Sequence, residues 1–229
     1  MQPEIRMTSS TRVLSPETHK VLRNTYMLLG ITLIPTVIGA FIGLNSNFAF
    51  LAQYPIVGPL LMFAAMMGLL FGVSATRNSV WGLVLLLAFT FIAGWWLGPM
   101  LQAALNLSNG AQLVGMAAGG TAVIFFSLAG FATITRKDFS FMGKFLFIGL
   151  ILLIVASIAN LFFQVPAASL AISAIAILLF SGYILYDVSR IVNGGETNYV
   201  MATMALYLDI YNIFVNLLHL LMAFSGQRD

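Results

Sequence analysis

Charge is what this sequence has least of. Only 7% of its 229 residues are Asp, Glu, Lys or Arg, against 60% hydrophobic residues. A chain with so little polar surface cannot cover a soluble core, which excludes an ordinary water-soluble domain. Cysteine is absent altogether, so a disulfide framework, a thiol nucleophile and a Cys-ligated metal are excluded as well. The two histidines, His19 and His219, stand far apart with no metal-ligand spacing. No short apolar segment with a small-residue cleavage site precedes the first long apolar run, so no cleaved signal peptide is expected.

What the chain does contain is long apolar runs. Its mean hydropathy is +0.99, and stretches long enough to cross a ~30 Å hydrocarbon core at ~1.5 Å per residue recur along nearly its whole length. The expected fold is an all-α polytopic membrane protein of seven transmembrane helices, at 25–44, 55–76, 80–101, 111–134, 144–164, 167–189 and about 201–223. A mobile cytosolic tail is expected over 1–24, a seven-helix domain over 25–223 and a short periplasmic tail over 224–229. Pro35 should kink the first helix, Pro55 and Pro59 open the second, and Pro166 marks a tight turn before the sixth.

The basic residues set the expected orientation. Arg6, Arg12, Lys20, Arg23, Arg77, Arg136, Lys137, Lys144 and Arg190 fall on one side of the expected spans. Only Arg228 falls on the other, which predicts an N-in, C-out arrangement. The net charge of +3 is therefore a topology signal, and nothing supports nucleic-acid binding. Gly39/Gly43, Gly68/Gly72, Gly94/Gly98 and Gly115/Gly119 are small-x-x-x-small pairs, read as close helix packing within the bundle. Trp81, Trp95 and Trp96 suit the membrane interfaces.

Two acids lie inside apolar runs, Asp187 on the sixth and Asp209 on the seventh. A carboxylate at bilayer depth is costly by at least ~2.5 kcal/mol, so an intramembrane acid marks a candidate functional site. On the seventh stretch Asp209, Asn212, Asn216 and His219 share an arc of roughly 80° at 100° per residue. Such a stripe belongs against protein or a hydrated cavity, and the last helix is expected to be enclosed by the others. Arg190 at i+3 could reduce Asp187 to a surface-edge ion pair.

Whether the acids meet depends on the helix ends. Asp209 lies ~15 Å into the seventh helix by helical rise. If that helix starts near Tyr199, Asp209 is deeper than Asp187 by about 10 Å; if the loop runs on toward Thr203, the depths converge. If they meet, two carboxylates in a low-dielectric site cannot both ionise cheaply and would titrate as a unit. The pair could then share a proton, take Arg190 as counter-ion, or bind a hard cation such as Ca2+ with oxygen from Asn212 and backbone carbonyls. The residues alone read as a proton-sensitive cation site facing the cytosol.

Several ordered segments carry a resemblance. THKVLRNTY (Thr18–Tyr26), GGTAVIFF, TRKDFSF, LAISA (Leu170–Ala174), GGETNY (Gly194–Tyr199) and LYLDIYNIF (Leu206–Phe214) resemble the Bax inhibitor-1 (TMBIM) family. They are most similar to its bacterial branch, the YccA-type modulators of the membrane AAA protease FtsH. The likeness covers nearly the whole chain, and GGETNY-to-YNIF is its most specific part. It implies a bacterial inner-membrane protein of seven helices with the last one central, binding FtsH and restraining it. For calcium-leak members it implies a pH-sensitive pore gated by an aspartate pair, which falls on Asp187 and Asp209 here. The channel members carry an arginine within the second helix, whereas residues 55–76 have no basic residue; Arg77 or Arg190 would have to substitute. No bound cofactor is expected. An intramembrane aspartyl protease is disfavoured, because Asp209 follows Leu206-Tyr207-Leu208 and not Gly-x-Gly.

Overall fold

The computed structural model describes residues 15–225. Among these described residues nine α-helices follow in order: α1 Pro16–Leu44, α2 Ala49–Gln53, α3 Val57–Thr76, α4 Val80–Trp96, α5 Gly98–Leu105, α6 Gly110–Thr135, α7 Gly143–Phe163, α8 Pro166–Val192 and α9 Tyr199–Ser225. A 3-10 turn, Ser140–Met142, leads into α7. Seven segments are long and apolar enough to cross a membrane, with α4 and α5 together forming the third. The exterior is that of a membrane protein. Phe71, Phe147, Phe163 and Ile134 are between 60% and 82% exposed, which lipid tolerates and water does not.

The helices depart from the sequence expectation in several places. The first helix starts at Pro16 and not at 25, so residues 16–24 of the expected tail are helical. Its start is built by Ser15, whose side chain accepts from the Thr18 amide, with Pro16 in the first turn and Glu17 beside it. That is a standard helix opening, which the polar composition of the stretch hid. Arg6, Arg12 and Arg228, and the tails 1–14 and 226–229, lie outside the described residues. The third span runs past 101 to Leu105 but breaks at Leu97, where Pro99 brings no N–H to the next turn. The expected loop 45–54 holds the short helix α2. α1 passes through Pro35 unbroken.

The closest packing is between α1 and α4. A Cβ on Gly39 or Gly94 would overlap the backbone carbonyl of Phe91 or Thr36, and Gly43 and Gly98 lie against each other's helices in the same way. Glycine is required there because the two backbones touch. Gly68, Gly115 and Gly119 by contrast face open space, so they do not pack the bundle among the described residues. Gln102 on α5 donates to the carbonyls of Gly43, Leu44 and Ser46, serving the orphan acceptors at the end of α1. Trp95 is tied inward, donating to Ser46 Oγ at 2.9 Å and lying 4.9 Å from Phe48, while Trp81 is exposed.

α9 is the centre of the bundle. It packs against α8, α6, α1 and α4, whereas α7 packs on α8 alone among the long helices. Of α7 only Leu146 is buried, against eight residues of α9. The enclosure expected from the polar stripe is thus present, and it places Asp209 at the middle of the molecule.

Candidate functional site

The site is held by the junction between α8 and α9. α8 ends at Val192, three residues beyond the expected 189, and Gly194 then turns the chain with φ +78°. The amides of Gly195 and Glu196 return to the Arg190 carbonyl at 2.7 and 3.2 Å, closing the helix end. Asn198 opens α9, its Oδ1 accepting from the amides of Val200 and Met201 at 3.0 Å each. Its Nδ2 donates to Asn78 Oδ1 at 2.8 Å and to the Arg77 carbonyl, which pins the start of α9 to the α3–α4 turn. On the other side, Ser189 Oγ accepts from the Phe139 amide and donates to the Lys137 carbonyl. The segment GGETNY is therefore a structural clamp around the acid pair.

The two acids come close. Asp187 and Asp209 face each other across the α8–α9 contact, near enough for each carboxyl to act on the other. α9 starts at Tyr199, the case in which a large depth offset was expected. The longer α8 carries Asp187 about one turn further from its end and so closes part of that gap. Asp209 is 3% exposed, and its buried Oδ2 finds no hydrogen-bond donor among the described residues. Tyr183, one turn before Asp187 on α8, lies near both carboxyls.

Arg190 sits beside Asp187 but is held elsewhere. It pairs with Glu196 at 3.5 Å and lies over the Tyr186 ring at 5.6 Å. The i+3 ion pair that could have reduced Asp187 to a surface acid is thus replaced by a pair across the Gly194 turn. Arg77 is exposed in the α3–α4 turn, where it offers its carbonyl to Asn198. Asn212 turns its Nδ2 back to the Leu208 carbonyl at 2.8 Å, and Asn216 does the same to Asn212. His219 faces α8, with Nδ1 2.9 Å from Ser173 Oγ and Nε2 3.4 Å from Ser169 Oγ.

For a cation, the donor set is thin. Among the described residues no group of three or more His, Cys, Asp or Glu comes together, and a hard cation wants six or more oxygens. Two carboxyls with one free buried oxygen suit a shared proton or a passing ion better than a resident metal.

The sequence did not point to Glu196, Tyr183 or the buried tyrosines of α9. Tyr207 is 2% exposed and its hydroxyl lies 2.8 Å from Thr36 Oγ1, and Tyr211 donates to the Ala93 carbonyl at 3.0 Å. Their only signal was a two-residue offset from Asp209, which puts them on the opposite side of α9 from the acids.

A seven-span, all-helical membrane protein with two acids, one of them buried, between its last two helices is the class that fold and site define. Residues 18–226 match the family described as Inhibitor of apoptosis-promoting Bax1, and the chain belongs to this Bax inhibitor-1 family. It is 44% identical over 204 residues to the Modulator of FtsH protease YccA of Escherichia coli K12, covering 89% of this chain and 90% of that protein. The same identity and coverage hold for the Inner membrane protein YccA of E. coli O6:H1. A membrane protein of Vibrio cholerae is 43% identical over 205 residues, 90% of each chain. This chain is a multi-pass protein of the inner membrane. The relatives are named a modulator and membrane proteins, and none of these names is an enzyme's.

Proposed function

We propose that this protein binds an FtsH-type membrane protease and restrains its degradation of other membrane proteins. The observation that carries the reading is 44% identity over 89% of the chain to a protein named as a modulator of that protease. The match runs over nearly the whole length of both chains, 89% of this one and 90% of that relative. In this reading the protein acts as a partner of the protease and needs no catalytic residues of its own. The N-terminus is placed in the cytosol and the C-terminus in the periplasm, on the segregation of the basic residues. Co-purification with the protease tests the reading. A tagged protein that brings down FtsH supports it, and one that leaves FtsH behind in the same detergent that keeps other FtsH complexes intact removes it.

A second activity is supported by one observation, the buried Asp209 Oδ2 without a donor facing Asp187. A proton held between the two carboxyls supplies the missing donor and locks α8 to α9. Loss of that proton leaves two like charges in a poorly solvated place, and the helix pair must then part, take up Arg190, or admit a cation. In this reading Asp187 and Asp209 form a pH-sensitive gate at the cytosolic end, Arg190 supplies the counter-charge, Asn212 borders the path and Ca2+ is a candidate permeant ion. The two roles are compatible, since a packed helix pair with two arrangements could report pH to a bound protease.

A further inference from the structure

A groove of about 860 Å3 runs between α1 and α6, with Tyr207 and Tyr211 of α9 in its floor. Small residues make the room: Gly30 on α1 and Ala118, Ala122 and Gly130 on α6 stand where larger side chains would close the gap. A Cβ on Gly30 or on Gly130 would meet no atom within 4 Å. Along α6 the lining runs from Val114 to Ile134, which is ~30 Å by helical rise and matches the ~30 Å hydrocarbon core. The groove is thus open to the bilayer over its depth.

Its hydroxyls are already engaged. Thr36, Thr121 and Thr133 donate to carbonyls of their own helices at 2.7–2.8 Å. Tyr207 is bonded to Thr36, Tyr211 to Ala93, and the Tyr26 hydroxyl reaches Thr133. These hydroxyl donors are spent within the protein and the rest of the lining is apolar, so the groove suits hydrocarbon.

One end of the groove is basic. The Tyr26–Thr133 contact marks that end, with Arg23 one turn beyond Tyr26 on α1 and Arg136 three residues beyond Thr133. Lys20 and Lys137 follow, and all four are exposed. The acids nearby are Glu17 and Asp138, and Asp138 Oδ1 accepts from the Ser140 amide. Among the described residues the one ion pair is that of Arg190 with Glu196, so these four cations carry no recorded carboxylate partner.

We propose that this groove binds an anionic phospholipid, its acyl chains along α1 and α6 and its phosphate against Arg23 and Arg136. Basic pockets between membrane-spanning helices suit such headgroups, because the charge sits at the interface while the tails stay in hydrocarbon. The site lies on the α1–α6 side of α9, away from the α8–α9 acid pair, and does not depend on any role for the acids.

The test is native mass spectrometry of the purified full-length protein in micelles containing equal phosphatidylglycerol and phosphatidylethanolamine. The wild type is expected to retain phosphatidylglycerol preferentially. The preference should fall about fivefold for each charge removed in Arg23→Gln and Arg136→Gln. Gly130→Leu, whose new side chain has space to enter the groove, should lose both lipids while its unfolding temperature stays put. Equal retention of the two lipids by the wild type overturns the proposal, as does a preference that survives the double substitution. A protein lost from Gly130→Leu preparations with lipid binding unchanged overturns it too, showing that a polypeptide occupies the groove.

Discussion

Asp209 lies close to Asp187 across the α8–α9 contact, and a proton shared between the two carboxyls would make the pair a single titrating unit. Asp209→Asn removes one charge for good and supplies an amide where a donor is missing, so the pH dependence of any ion flux in liposomes should flatten. Asp187→Asn should flatten it to a similar degree, and the double substitution should add little to either. Independent, additive effects would show that the carboxyls act apart. The acids themselves were legible in the sequence, because charge inside an apolar run stands out. Their contact was not, since it rests on where two helices end, and α8 continuing to Val192 is set by the Gly194 turn and by Ser189 gripping the 137–139 loop. Arg190 was legible as a charge near Asp187 but not as a partner of Glu196, which only the left-handed turn brings within reach.

At the scale of the helix, glycine separates two kinds of surface that look alike in sequence. Gly94 on α4 has the Thr36 backbone against it, while Gly115 on α6 faces open space. Gly94→Leu forces α1 and α4 apart and should destabilise the protein by ~3 kcal/mol or more, since the obstacle is backbone and cannot rotate away. Gly115→Leu should change stability by less than ~0.5 kcal/mol. Thermal unfolding in detergent separates them, and equal effects would contradict the packing described. The helix N-terminus at Ser15 gives a smaller contrast: Ser15→Ala removes the acceptor for the Thr18 amide and should weaken the first turns by ~1 kcal/mol. Hydrogen exchange confined to α1 would register it. The seven spans were legible because each is an unbroken apolar run of membrane length. The early start of α1 and the break at Leu97 were not, as capping and a missing N–H act beneath the hydropathy pattern.

For the molecule as a whole, the family and the seven spans place the chain in the inner membrane, and the proposed N-in orientation puts its acid pair at the cytosolic end. A reporter fused after Asp229 should be periplasmic and one fused before Met1 cytosolic; the reverse pattern would put the acid pair at the periplasmic end. That α9 would be central was legible from its polar stripe, because polar groups at bilayer depth need protein around them. The groove beside α1 was not, since its walls are small residues on two helices far apart in sequence. The proposed restraint of a membrane protease would show in the half-life of an FtsH membrane substrate, measured in cells with and without overproduction of this protein. The half-life should lengthen when the protein is overproduced and FtsH levels are unchanged. An unaltered half-life at the same levels would contradict the account.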